Sequence, residues 1–244
     1  MKSIEQRMIC PYCDDETGHL YYSVQKRVYH CHKCGASGKG KPEAEVVREI
    51  EVDKRYKNTS IWTKPKTVGI FSNSIMAKKA RQFLRSKGLF KSEVKKYRLA
   101  VAFDRLLIPI YNDDGDMVYW IGRTLTGNRI KYTNPPRPAT DVVFKTFQGK
   151  VDKAVVVEGF FDAVRVGRVL PAIALLGKEL TEEKSKKVID NVSREIIIML
   201  DSDAVKHSFR IYDKLRGYRH VSLRCLAHGD PGDMDTDELK RRLL

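Results

Sequence analysis

The sequence predicts a mixed chain, α/β in its C-terminal part and α+β before it: a small cysteine-held ribbon, a basic subdomain of short helices and strands, and a parallel α/β layer. Three observations predict this. Two Cys-x2-Cys pairs stand at Cys10/Cys13 and Cys31/Cys34. Short apolar strands parted by Asn112-Asp113-Asp114-Gly115-Asp116 and Thr126-Gly127-Asn128 occupy the middle. Beyond residue 150, apolar runs alternate with helical stretches, and two of those runs end in acids. At 244 residues with 42% hydrophobic content the chain can bury a core and divides into small units. The expected division is 1–40, 41–66, 67–150 and 151–244.

The four cysteines come first. Cys10-Pro11-Tyr12-Cys13 and Cys31-His32-Lys33-Cys34 supply four thiolates at the spacing of a tetrahedral Zn²⁺ site, one structural ion per chain. Met1 to Arg7 lacks a signal-peptide core, so a cytoplasmic location (the host's, for a viral protein) is expected, and its reducing conditions argue against two disulfides. Between the pairs, Leu20–Val24 and Arg27–His30 read as a hairpin too small to fold without the metal. His30 and His32 flank Cys31 and could substitute as ligands, but read sooner as surface groups or supports of the ligands. Tyr21, Tyr22 and Tyr29 could stack on bases of a single strand or, in part, form the ribbon's small core. Gly35 to Lys41 nearly matches a phosphate-binding loop, but Pro42 stands at the Ser/Thr position and no strand precedes it, so it is rejected.

Residues 41–66 are polar and charged and read as a linker with one weak helix around Glu43–Glu51. Ala77, Ala80, Phe83 and Leu84 give Ser74–Lys87 the period of an amphipathic helix closed by Gly88, and a second helix is expected over Ser92–Tyr97 with Ser92 as cap. Strands are expected at Arg105–Tyr111, Met117–Gly122 and Arg129–Tyr132. Asp113, Asp114 and Asp116 read as turn residues.

Charge separates the two halves. Residues 1–150 hold 29 Lys and Arg against 15 Asp and Glu, whereas residues 151–244 hold 17 against 16. A field of that kind suits a polyanion such as nucleic acid. No apolar stretch reaches the ~18 residues of a membrane span, so no membrane partner is expected.

The C-terminal part is expected to run strand, helix, strand, with strands near 154–157, 172–176, 196–200 and 221–226 and helices near 160–168, 181–192 and 204–216. Ala154-Val155-Val156-Val157 and Ile196-Ile197-Ile198-Met199-Leu200 lack polar alternation, as strands buried on both faces do. Glu158 follows the first run, and Asp201 and Asp203 follow the second. Acids past the ends of parallel strands fall on the carboxyl edge of the sheet, where α/β proteins place active sites. Carboxylates gathered there repel one another unless hard cations such as Mg²⁺ lie between them. Asp162, four residues after Glu158, can face the same place. Cys225, in alternation with Val221 and Leu223, reads as a buried thiol.

Glu158-Gly159 after one such strand and Asp201-x-Asp203 after another resemble the TOPRIM domain shared by primases, topoisomerases and some nucleases. Asp104 to Ile110 with its Asp-Gly turn, Ile121-Gly122-Arg123, Lys131-Tyr132-x-Asn134 and Lys145 are similar to the catalytic core of bacterial-type, DnaG-like DNA primases. Cys10-Pro11 and Tyr29-His30-Cys31-x2-Cys34-Gly35-Ala36 resemble that family's zinc ribbon, although Cys13 stands where the second ligand is commonly His. Together the resemblance covers most of the chain outside 41–66.

The resemblance implies a DNA-directed RNA polymerase of the primase type, a nucleotidyltransferase that makes short RNA primers on a single-stranded DNA template from ribonucleoside triphosphates, leaving an RNA–DNA hybrid. It implies catalytic roles for Glu158, Asp201 and Asp203, with Mg²⁺ or Mn²⁺ held by these and by Asp162 and Asp230; either Asp230 or Asp233 is the last acidic ligand. Glu158 is open to a second role as general base. Arg123 and Lys131, with Arg105, Asn134 and Lys145, would hold template, primer or triphosphates. Any replicative helicase partner would be a separate protein, since no Walker motif is present. Two other classes share parts of the pattern. RecR-like clamping proteins join a zinc module to TOPRIM but place helix-hairpin-helix elements before it, where this chain has nine residues before Cys10. A TOPRIM nuclease would not need the basic subdomain.

Overall fold

The structure, a computed structural model, describes residues 5–13, 15, 18–40, 65–127, 130–135 and 137–244. The expected linker and its helix therefore lie outside the described residues, apart from Pro65 and Lys66. Backbone contacts divide the chain into two units. One takes the described residues up to Ser86 with Phe90–Pro109 and Tyr119–Ala139; the other takes Lys87–Leu89, Ile110–Val118 and Thr140–Leu244.

The first unit begins with a four-stranded antiparallel ribbon of β1 (Glu5–Met8), β2 (Leu20–Ser23), β3 (Val28–Cys31) and β4 (Ser37–Lys39), paired in that order. The expected hairpin is β2–β3, with Tyr22 opposite Tyr29. Leu20, Tyr22, Tyr29, Cys31 and Ala36 bury its small core. Two of the three tyrosines are thus core residues, and Tyr12 stacks on Tyr29 with ring centroids 5.4 Å apart.

A second antiparallel sheet runs β5 (Val68–Gly69), β6 (Ala100–Ala102), β7 (Arg105–Tyr111), β8 (Met117–Thr124) and β9 (Tyr132–Thr133). Helix α1 (Ile75–Ser86) buries Ala77, Ala80 and Leu84, the apolar stripe its spacing foretells. Helix α2 spans Lys91–Lys96, one residue earlier than expected. Ser92 is not its cap: Phe90 occupies that position, and the Glu93 carboxylate accepts the Phe90 N–H at 2.7 Å. A glutamate at the third helical position can satisfy that donor without a polar cap residue.

In the second unit β10 (Phe144–Lys145), β11 (Val151–Val157), β12 (Ala172–Ala174), β13 (Val192–Ile198) and β14 (His220–Leu223) form a sheet in the order β10-β12-β11-β13-β14. The last four strands are parallel, and β10 adds an antiparallel edge that the sequence pattern did not foretell. Helices α3 (Phe160–Val166), α4 (Glu182–Asn191) and α5 (Val205–Leu215) follow β11, β12 and β13, and α6 (Thr236–Leu243) ends the chain. Val155, Val156, Val157, Ile196 and Ile197 are fully buried, as continuous apolar runs in a doubly covered sheet must be. Cys225 is exposed, contrary to expectation. Strand β14 stops at Leu223, so the alternation that would bury Cys225 does not reach it, and Leu226 turns inward instead.

Candidate active site and metal centres

In the ribbon, Cys10, Cys13, Cys31 and Cys34 bring their sulfurs within 4.8 Å of one another. Cys10 and Cys34 are 3.7 Å apart and Cys13 and Cys31 4.0 Å. A tetrahedron with Zn–S bonds of about 2.3 Å has edges of about 3.8 Å, so the donor set fits one zinc ion. Gly35, at φ +78°, turns the second knuckle, and its N–H donates to Cys31 O at 2.9 Å. The first knuckle is organised by Asp15, whose buried carboxylate accepts the N–H groups of Cys10 (2.8 Å) and Gly18 (2.9 Å) and contacts the His19 ring at 2.8 Å. His30 and His32 are exposed and stand outside the cysteine cluster.

Strand β11 ends at Val157, which puts Glu158 on the carboxyl edge. Two strands' pairing brings Asp201 beside it, because the Met199 N–H donates to Val156 O at 2.9 Å just past the last residue of β13. Carboxylate oxygens of Glu158, Asp201 and Asp203 lie within 4.8 Å of one another. Glu158 Oε2 and Asp201 Oδ1 are buried and have no hydrogen-bond partner. Buried anionic oxygens are costly unless something positive meets them, so this donor set fits hard divalent cations. Burial, followed by the Asp201 charge, pushes the Glu158 carboxyl up to about 7. Asp201 is raised by burial and then by Asp230. Asp203, in contrast, is exposed and lowered by its hydrogen bond to Lys178, whose ammonium stands 2.6 Å from Oδ2.

The other two expected ligands stand outside that trio. Asp162 is buried, and backbone amides occupy both its oxygens: Gly159 N–H at 2.9 Å and Gly232 N–H at 3.1 Å. Asp230 caps the 3-10 turn Pro231–Asp233 by accepting the Asp233 N–H at 3.0 Å. Asp233 itself faces Lys87 at 3.3 Å.

Among the expected phosphate-holding residues, Arg123 and Lys131 are the two that no oxygen of the described residues holds. Arg123 lies 5.4 Å from the Phe83 ring centroid and 4.9 Å from that of Tyr132, with its Nε buried and without a hydrogen-bond partner. Lys131 is exposed above Tyr132. Arg105 donates to the carbonyls of Gly122 (3.2 Å) and Ile130 (3.1 Å). Asn134 donates to Gly35 O at 3.1 Å, which links it to the second knuckle. Lys145 is held by Asp113 at 2.8 Å and by Asn191. The turn reading of Asp113 stands, with this ion pair added.

No family model matches the chain. It is 34% identical over 156 residues to a DNA primase of Synechococcus elongatus, an alignment covering 57% of this chain and 22% of that protein. DNA primases of Thermotoga maritima and Halalkalibacterium halodurans are each 24% identical, over 84% and 92% of this chain and 48% and 51% of theirs. A structure of the zinc-binding and RNA polymerase domains of Aquifex aeolicus primase covers 100% of this chain and 78% of its own, with 18% identity and a TM-score of 0.59. The fold is that of DnaG-type primases. A DnaG catalytic domain described as bound to single-stranded DNA matches 69% of the chain with a TM-score of 0.57 and 18% identity. The chain spans about half or less of the length of these curated DnaG-type relatives.

Within the DnaG-type fold, three features escaped sequence reasoning. Asp15 carries no signature beyond following a Cys-x2-Cys pair. The double backbone contact of Asp162 joins residues 70 apart. Lys178 has only Gly177, at the end of the expected second strand, to announce it. Among the described residues no helix is long and apolar enough to cross a membrane.

Proposed function

We propose that this chain is a DNA primase, which joins ribonucleoside triphosphates on single-stranded DNA without a pre-existing primer. The observation that carries the reading is the trio Glu158, Asp201 and Asp203 on the carboxyl edge, with two buried oxygens lacking partners, in a chain similar to DNA primases. In the reaction the 3′-hydroxyl of one nucleotide attacks the α-phosphate of the next, forming the new P–O bond as pyrophosphate leaves with the electrons of the bond that breaks. Bound Mg²⁺ or Mn²⁺ would lower the pKa of the attacking hydroxyl and offset charge on the phosphates.

Glu158, Asp201 and Asp203 are the residues that would hold these ions. Without bound cations Glu158 is raised to about 7 by burial and the neighbouring carboxylates, so entry of the cations would displace its proton. Asp162 and Asp230 shape the edge through the loops they cap. Arg123 and Lys131 would bind phosphates of template or nucleotide, since among the described residues no protein oxygen matches their charge. Arg105, Asn134 and Lys145 support that role from positions fixed by their own hydrogen bonds. The four cysteines would hold one zinc ion and keep the ribbon folded as a template-selecting element. The excess basic charge of residues 1–150 favours the polyanionic template.

The test is incorporation of labelled ribonucleotides on a varied set of single-stranded DNA templates with Mg²⁺ or Mn²⁺. Template-dependent oligomers are expected. Their absence across the whole set, by protein that carries zinc and binds DNA, would leave a DNA-clamping role in place of synthesis.

A further inference from the structure

Lys178 stands in the acidic edge on a loop built to put it there. Leu176 adopts φ +56°, a left-handed conformation that non-glycine residues rarely take, and Gly177 follows at φ +147°. The Gly177 N–H donates to Glu158 O at 3.3 Å, and Leu175 N–H to Val157 O at 3.0 Å, so the loop is tied to the residue it serves. Two further lysines pin it from beneath. Lys184 Nζ, buried, donates to Leu175 O, and Lys214 Nζ donates to Leu180 O, each at 2.7 Å. From this base the Lys178 ammonium reaches Asp203 Oδ2 at 2.6 Å, with Glu158 and Asp201 also in its field. Its side chain is 35% exposed and that of Asp203 is 72% exposed, so a surface pair of this kind adds little to folding. A strained turn, anchored by four hydrogen bonds, is a large provision for a contact of little structural value.

We propose that Lys178 is an internal counter-ion of the acidic edge, holding Asp203 in the absence of divalent cations and competing with them for its carboxylate. The inference rests on the reading of Glu158, Asp201 and Asp203 as metal-holding residues. Lys178 acts through Asp203 and is a positioning residue. An ammonium on Asp203 makes the site fill only when the entering cation out-competes it. The released ammonium has three donors and is then free to meet an incoming phosphate.

The test is direct Mn²⁺ binding, followed by the electron paramagnetic resonance of free Mn²⁺, on the zinc-loaded full chain without nucleotide or DNA. Lys178→Ala and Lys178→Gln should bind Mn²⁺ more tightly than the native chain by up to about fivefold, the range into which the free energy of an exposed ion pair converts. Lys178→Arg should stay near native, and Asp203→Asn should weaken binding. In the Asp203→Asn background, Lys178→Ala should give much less tightening. Unchanged or weaker binding in both Lys178→Ala and Lys178→Gln would overturn the proposal, as would equal tightening with and without Asp203. A merely structural lysine would lower affinity on removal. Failure of primer synthesis with this Mn²⁺ pattern intact would overturn the primase reading alone; lack of saturable Mn²⁺ binding by the native chain would overturn both.

Discussion

Asp162 Oδ1 accepts the backbone N–H of Gly232 at 3.1 Å, while its Oδ2 accepts that of Gly159 at 2.9 Å. One buried carboxylate thus joins the first turn after β11 to the loop of Asp230. Both partners must approach closely: a Cβ on Gly232 would lie 2.6 Å from Oδ1, and one on Gly159 2.8 Å from Oδ2. Asp162→Asn would turn an NH₂ toward one of these donors and leave it unmatched, at a cost of about 1–3 kcal/mol. Urea unfolding should show that loss, with Mn²⁺ affinity changed by less than a few fold. Full stability combined with loss of Mn²⁺ binding would make Asp162 a ligand in its own right.

The same residue predicts a pH dependence. Burial, with the Asp201 and Asp230 charges adding, pushes Asp162 up to about 7, whereas an unfolded aspartate titrates near about 3.9. The folded state therefore holds the proton more tightly. Its contribution to stability is complete below the unfolded value and disappears as pH rises through the folded one. Zinc-loaded protein free of Mg²⁺ should have a lower melting temperature at pH 8 than at about pH 5.5, and Asp162→Asn should make that slope shallower. Equal slopes would assign the dependence to other groups.

The ribbon's coupling to its own unit is testable through zinc. The Ala139 N–H donates to Cys34 O at 3.3 Å and Asn134 Nδ2 to Gly35 O at 3.1 Å, so Asn134 and Ala139 lean on the second knuckle. Metal analysis should give one zinc per chain. Chelation should unfold the ribbon and also speed exchange of the Ala139 amide hydrogen, which the Cys34 carbonyl holds, while the parallel sheet keeps its protection. Well under one zinc in freshly purified, reduced protein would contradict the site.

Arg123 and Lys131 should separate. Arg123→Ala removes a cation packed between Phe83 and Tyr132, each such contact being worth about 0.5–1 kcal/mol at exposed sites, so stability and DNA binding should fall together. Lys131→Ala, which gives up a single exposed contact over Tyr132, should cost less stability than Arg123→Ala and lower the slope of log affinity against log salt by about one. An unchanged slope in both variants would place the DNA elsewhere.

Much of this was legible in the sequence because the signals are local. Four cysteines at fixed spacing, apolar runs without alternation and acids directly after them need no tertiary knowledge. Strands β1 and β4, Glu-Gln-Arg-Met and Ser-Gly-Lys, carry no such pattern. They are strands because β2 and β3 offer them unpaired edges. Cys225 misled because alternation was extended past the last paired residue of β14, Leu223. Lys178 and Asp162 owe their roles to partners 25 and 70 residues away, which no window on the sequence contains.

The measurement closest to the central claim compares Glu158→Gln, Asp201→Asn and Asp203→Asn with Asp113→Asn in one series, recording melting temperature, single-stranded DNA binding and ribonucleotide incorporation. The first three should lose synthesis by orders of magnitude yet keep DNA binding, since the excess basic charge precedes residue 151. Relief of carboxylate repulsion should leave Glu158→Gln and Asp201→Asn no less stable than the native chain without Mg²⁺, whereas Asp203→Asn gives up its exposed ion pair to Lys178. Asp113→Asn, which loosens only the ion pair to Lys145, should synthesise nearly normally. Near-normal synthesis by both Glu158→Gln and Asp201→Asn would contradict the assignment of the acidic edge as the catalytic centre.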